Sequence, residues 1–218
     1  MNSSEPQVRK LFPTPVFVEM WPDAPKWNEG LRQAMLNERA SGGSVSKSNL
    51  LGWQSDIDML HWGGEPAARL RDHAVELCKS LTCDEAGPRA LQWHAEMWGN
   101  ISVKGASNQT HAHPGAFWSI VYYVDDGYGG SPDRALGGEL TFIDPRFPMV
   151  RMRTPPLRMR WPDGDPDHQE VWVRPVTGLI VIFPSWLQHA VRPYSGDRER
   201  MSIATNLTVF ADPAGAAE

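Results

Sequence analysis

From about Leu91 onward the sequence breaks into short segments rich in β-branched and aromatic residues, each closed by turn residues. This constrains the fold more than any other feature of the chain. Segment 117–124, rich in aromatic and β-branched residues, reads as a strong strand and 178–183 as a buried one, while 170–175 and 200–210 alternate. Segment 137–143 is a Gly-Gly turn leading into a strand, 91–98 alternates loosely, and 101–103 follows it. Turn signals at Asp125-Asp126-Gly127, Asp163-Gly164-Asp165 and Ser195-Gly196-Asp197 separate the runs. Helical spacing is confined to the first part. Trp27, Leu31, Ala34 and Met35 predict a helix over 27–40 that stops at Ser41-Gly42-Gly43. Gly64-Glu65-Pro66 opens a second, with Leu70, Ala74, Leu77 and Leu81 on one face. Residues 11–18 carry two prolines and read as an edge strand, and 41–49 as a polar loop. Helices first and strands afterwards predict an α+β, mainly β chain, with helices outside a β-sandwich or jelly-roll barrel. The 218 residues fit one domain, 1–218. Within it, 1–90 reads as an N-terminal helical flank with an edge strand and 91–212 as the β core.

Composition removes several functions. A formal charge of -5 lacks the basic footprint of a nucleic-acid binder. The arginines between 151 and 160 are a local exception, broken by Pro155 and Pro156, and read as a solvated loop in preference to a site for an acidic ligand. Cys78 and Cys83 match no zinc or redox spacing and read as ordinary thiols. The N-terminal residues lack the basic and apolar regions of a signal peptide, and the longest aliphatic run is far too short to span a bilayer. A soluble, cytoplasmic protein with no membrane or nucleic-acid partner is expected. Edge strands would permit a homodimer.

The chemistry lies in three histidines. His111 and His113 are two residues apart, and in extended backbone such residues face the same side. Pro114 restricts His113 to extended conformations. His189 arrives from a separate strand region, just beyond 178–183. Three imidazoles suit iron, copper, nickel or zinc, and three protein ligands leave the open positions of a catalytic site. Taken alone, the pair reads as readily as two surface histidines at a strand end. Arg200 and Ser202 then share one face of the last strand, a guanidinium beside a hydroxyl, suited to a carboxylate. His61, His73, His94 and His168 read as structural or solvated.

Taken together, these motifs resemble the Fe(II)- and 2-oxoglutarate-dependent dioxygenases, and in particular a group of small bacterial members. The residues that carry the resemblance are Gly52-Trp53-Gln54-Ser55, His111-Ala112-His113-Pro114, Val121-Tyr122-Tyr123, Gly137-Gly138-Glu139-Leu140-Thr141-Phe142, Asp144-Pro145-Arg146, the run from Phe183 to His189, and Arg200-Met201-Ser202. The resemblance implies a double-stranded β-helix core (jelly-roll, cupin-like). It implies Fe(II) on His111 and His189, with His113 where the family places Asp or Glu. It further implies 2-oxoglutarate as cosubstrate on Arg200 and Ser202, with Tyr123, rather than Tyr122, and Asn100 contacting it. The reaction would hydroxylate a small-molecule or peptide substrate with succinate and CO2 as co-products. Trp98, Trp118 and Trp186 are candidates for a dry wall, and loops 41–49 and 147–168 for the entrance.

The departure at His113 keeps other readings open. An all-His face would leave a neutral ligand set, or Glu139 or Asp144 would complete the site. A cupin-like dioxygenase using three histidines without 2-oxoglutarate fits the missing carboxylate. A non-catalytic metal-binding β-barrel is the third reading.

Overall fold

The computed structural model describes residues 11–85, 87, 90–147 and 156–211. Its strands are β1 (Phe17–Met20), β2 (Asn49–Gln54), β3 (Leu91–His111), β4 (Trp118–Asp125), β5 (Leu140–Ile143), β6 (Glu170–Val173), β7 (Leu179–Pro184), β8 (His189–Val191) and β9 (Arg200–Ala211). The helices are α1 (Ala24–Ser41), α2 (Met59–Trp62) and α3 (Gly64–Ser80). The strands form one antiparallel sheet in the order β1-β7-β4-β9-β3-β8-β5-β6, with β2 on the side of β3. Tyr123 and Val181, from β4 and β7, pack against Leu140 and Phe142 of β5, which lies far along the sheet. The sheet therefore curls onto itself, as the jelly-roll expectation required.

A period-two split of each central strand builds two different faces. On β9, Met201, Ile203 and Leu207 join the apolar core, while Arg200, Ser202, Ala204 and Asn206 face a cavity. On β3, Met97 and Ile101 go to the core, and Glu96, Trp98 and Asn100 to the cavity. On β4, Trp118, Ile120, Tyr122 and Val124 go to the core, and Val121 and Tyr123 to the cavity. The helices cover the apolar face. Leu31 and Met35 of α1, and Ala67, Leu70, Ala74 and Cys78 of α3, are buried there at helical spacing. Tyr122 donates its hydroxyl hydrogen to Asn28 Oδ1, and Arg32 pairs with Asp125, so polar contacts also tie α1 to β4.

Several boundaries differ from expectation. The first helix begins at Ala24, because Pro25 is tolerated in a first turn. Strand β1 begins only after the prolines at 13 and 15, and it lies at the sheet edge beside β7. The first 90 residues supply a second strand as well, β2, which is interrupted by Gly52 and lacks a clean alternation. Segments 91–98 and 101–103 belong to a single 21-residue strand. It pairs with β9 from Leu91 to Ser102, and with β8 at Asn108 and His111. Gly105, at φ +88°, sits at the corner between those partners. The arginines at 151 and 153, and part of the 147–168 loop, lie outside the described residues.

Candidate metal centre and cosubstrate pocket

His111 ends β3 directly opposite His189, which opens β8. His113 lies beyond the end of β3. Extended strand geometry does not by itself place it, as the His-x-His spacing had predicted. Its backbone N–H donates to Ser185 O at 2.9 Å, and this contact turns its ring back toward the other two. Each histidine offers one ring nitrogen to a group whose members all lie within 4.8 Å of one another. Ring centroids are 4.9 Å apart for His111 and His113, 4.3 Å for His111 and His189, and 5.1 Å for His113 and His189. Nδ1 of His111 lies 2.7 Å from Gln109 O, and Nδ1 of His189 lies 2.9 Å from Leu187 O. Those carbonyls hold the proton on Nδ1 and leave each Nε2 lone pair free.

All three rings are held neutral. Burial lowers the pKa of His189 to about 3, and the neighbouring His111 adds to the effect. Burial and then His111 and Lys47 lower that of His113 to about 4. Burial lowers His111 in the same direction. A neutral imidazole is the form that ligates a metal.

Among the described residues no carboxylate joins this group. Glu139 pairs with Arg192 at 3.3 Å, and Asp144 with Arg146 at 2.6 Å. The Arg146 hydrogen bond holds the Asp144 carboxyl below its ordinary range. Both are committed to arginines, so among the described residues the donor set is three imidazoles.

The histidines open onto a cavity of about 490 Å³. Matching register positions carry a polar row across four strands: Gln54 on β2, Asn100 on β3, Ser202 on β9 and Tyr123 on β4. All four line the cavity, with Arg200 beside them. Arg200 is 2% exposed, and its guanidinium lies 5.1 Å from the Tyr123 ring centroid. Among the described residues, neither the Tyr123 hydroxyl nor Arg200 Nε has a hydrogen-bond partner. A buried cation and a buried hydroxyl left in this state call for an anionic acceptor. Two open-ended donors beside three neutral imidazoles fit a metal ion together with a carboxylate ligand. Gly138, at φ +80°, makes room for them. A Cβ there would stand 3.4 Å from Arg200 Cδ and 3.2 Å from the Tyr194 ring.

The structure thus brings His111, His113, His189, Arg200, Ser202, Tyr123 and Asn100 around one cavity. Tyr122 faces the helices instead. Of the three tryptophans, only Trp98 lines this cavity, 5.7 Å from the His113 ring. Trp118 is core, its indole N–H bonded to Thr82, and Trp186 is exposed at a different cavity. Parity explains Trp118, since it shares the helix-facing side of β4 with Ile120 and Tyr122. Loop 41–49 reaches the cavity through Lys47 and Ser48. The described part of loop 147–168 reaches the other one, through Trp161, Asp167 and His168. Sequence reasoning missed Gln54, Glu96 and Asn206 as lining residues. Asn206 carried a signal, because it shares parity with Arg200 and Ser202, and so did Glu96, which shares parity with Trp98 and Asn100.

A curled antiparallel sheet with three inward histidines and a buried arginine defines the class of double-stranded β-helix metalloenzymes. Residues 96–206 match the model of the family described as "Putative 2OG-Fe(II) oxygenase", and the chain belongs to that family. It is an oxygenase that works with Fe(II) and 2-oxoglutarate. The chain is similar in fold to a Pseudomonas putida prolyl-4-hydroxylase, at 18% identity and TM-score 0.62, over 89% of this chain and 92% of that one. It is also similar to a Trichoplax adhaerens prolyl hydroxylase, solved with a hypoxia inducible factor peptide fragment (15% identity, TM-score 0.61, 88% and 83% of the two chains). A third is HygX from Streptomyces hygroscopicus, with nickel and 2-oxoglutarate bound (12%, 0.57, 89% and 83%). No curated protein matches the sequence. No described helix is long and apolar enough to cross a membrane.

Proposed function

We propose that His111, His113 and His189 hold Fe(II), and that Arg200, Ser202 and Tyr123 hold 2-oxoglutarate against it, with Asn100 orienting the bound acid. The observation that carries this is the pairing of one three-histidine group with the unpartnered Tyr123 hydroxyl and Arg200 Nε in a single cavity. Together, the metal and cosubstrate supply oxidation by O2, coupled to conversion of 2-oxoglutarate to succinate and CO2, which leaves a hydroxyl group on the substrate. The chain supplies the surroundings. Arg200 neutralises the far carboxylate, and the Tyr123 hydroxyl and Ser202 donate to it. Three neutral ligands leave the ion its full charge, which strengthens its hold on a dianionic cosubstrate. Trp98 shields the His113 side from water.

The substrate is a small molecule or a residue of a peptide. Lys47, Ser48 and Glu96 line the same cavity and are offered to the substrate. A cytoplasmic setting is supported by the two free thiols, of which Cys78 is buried and pushed up to about 12 by that burial. The test is anaerobic addition of Fe(II) and 2-oxoglutarate, followed by the visible charge-transfer band of the chelate. The wild type is expected to give the band and Arg200→Ala to lose most of it at the same 2-oxoglutarate concentration. No band in the wild type, or an undiminished band in the variant, rejects the assignment.

A further inference from the structure

A neutral imidazole carries one N–H, so a ring that ligates through Nε2 must place its Nδ1–H on an acceptor. His111 and His189 meet this condition with the Gln109 and Leu187 carbonyls. His113 meets something else. Its Nδ1 lies 3.3 Å from Asn206 Nδ2, an amide donor. Ligation through Nε2 would make both of these nitrogens donors, and two N–H groups cannot bond each other. The far end of the same side chain resolves the conflict. Ser119 Oγ lies 2.9 Å from Asn206 Oδ1, and a hydroxyl accepts as well as it donates. Half a turn of the carboxamide exchanges its oxygen and nitrogen at nearly unchanged positions. Oδ1 then accepts from His113 Nδ1–H, Nδ2 donates to Ser119 Oγ, and neither bond is lost.

We propose that Asn206 is the positioning residue of the metal centre: its carboxamide presents Oδ1 to His113 Nδ1–H in the metal-bound protein and so selects the tautomer that ligates through Nε2. The inference rests on the assignment of His111, His113 and His189 as ligands. It also explains why His113 needs help that a carboxylate in its place would not, since a carboxylate has no tautomer to choose. The sheet register fixes the geometry. Asn206 stands opposite Ser119 on β4 and Glu96 on β3, so ladders on both sides hold its backbone, and Ser119 is buried at 2% exposure. Without this bond the His113 ring is free to present its own N–H to the ion.

The test compares Asn206→Ala with Asn206→Asp, whose carboxylate can accept from Nδ1–H. Asn206→Ala should weaken Fe(II) binding, titrated anaerobically, by about 10- to 100-fold. Asn206→Asp should bind at least as tightly as the wild type. On Zn(II)-loaded protein, long-range proton–nitrogen NMR should show His113 protonated at Nδ1. That proton should exchange slowly in the wild type and in Asn206→Asp, and fast in Asn206→Ala. Three results would overturn the role: Fe(II) affinity of Asn206→Ala within about two-fold of wild type, Asn206→Asp as weak as Asn206→Ala, or wild-type His113 protonated at Nε2. His111→Ala and His189→Ala are titrated alongside. If both lose Fe(II) while Asn206→Ala keeps it, only the role of Asn206 falls. If both keep it, the ligand assignment itself falls.

Discussion

Burial fixes the protonation state of His113 and His189, and that has a cost for the metal-free protein. In the folded chain His189 titrates at about 3 and His113 at about 4, whereas in an unfolded chain both titrate near 6.5. Between these values the unfolded state binds more protons, so stability rises with pH across the window. Above the unfolded value the effect is absent, and below the folded values the full penalty applies. The urea midpoint of metal-free protein should therefore fall as pH is lowered from neutral toward 4. His189→Gln, which removes the most strongly shifted group, should fall less steeply; equal slopes would contradict the linkage. The same residues show what was readable in advance. His111, His113, Arg200 and Ser202 were found because their spacing of two is a local property. Gln54 reaches the cavity only through cross-strand register, which no short window of sequence contains.

At the level of elements, β4 and β7 were visible as apolar and aromatic runs and β9 by its alternation, because at least one face of each lies in the apolar core. Strand β3 was seen in fragments. The runs 91–98 and 101–103 were read separately, although Gly99 lies within the β3–β9 ladder, where an added Cβ would press on Met35 at 3.2 Å. Strand β2 was invisible, since its burial pattern has no clean period. The turn before β5 is where an element's position controls the site. Gly137 has φ +67°, and a Cβ there would stand 2.0 Å from the Pro193 carbonyl oxygen. Backbone cannot move aside as a side-chain tip can. Gly137 also bridges to Tyr194, and β5 sets Phe142 opposite His189. Gly137→Ala should cost about 3 kcal/mol or more, from the unfavourable φ and the clash together. Chemical denaturation measures it, and a change below about 1 kcal/mol would show that this turn is free to shift.

For the whole molecule, the site joins parts of the sheet that are far apart in the chain. The proposed metal group takes one member from each of β3, the segment after it, and β8, whereas the proposed cosubstrate donors come from β4 and β9. A ligand that bridges them binds the folded state alone and stabilises all of it by linkage. Each ligand held at 100 times its dissociation constant adds about 2.7 kcal/mol. In a chain of this size each kcal/mol raises the melting temperature by about 2–4 °C. Fe(II) should thus raise the melting temperature of the anaerobic protein by about 5–10 °C, with 2-oxoglutarate adding a similar step only when the metal is present. The two halves of the site should separate by mutation. Arg200→Ala should keep the metal step and lose most of the second, because the far carboxylate loses its counter-charge while the chelating end does not. His189→Ala should lose both steps, because without the ion 2-oxoglutarate has only the arginine end to hold. A 2-oxoglutarate step that survives His189→Ala would mean that the acid binds independently of the histidines, and the two halves would then not form one site.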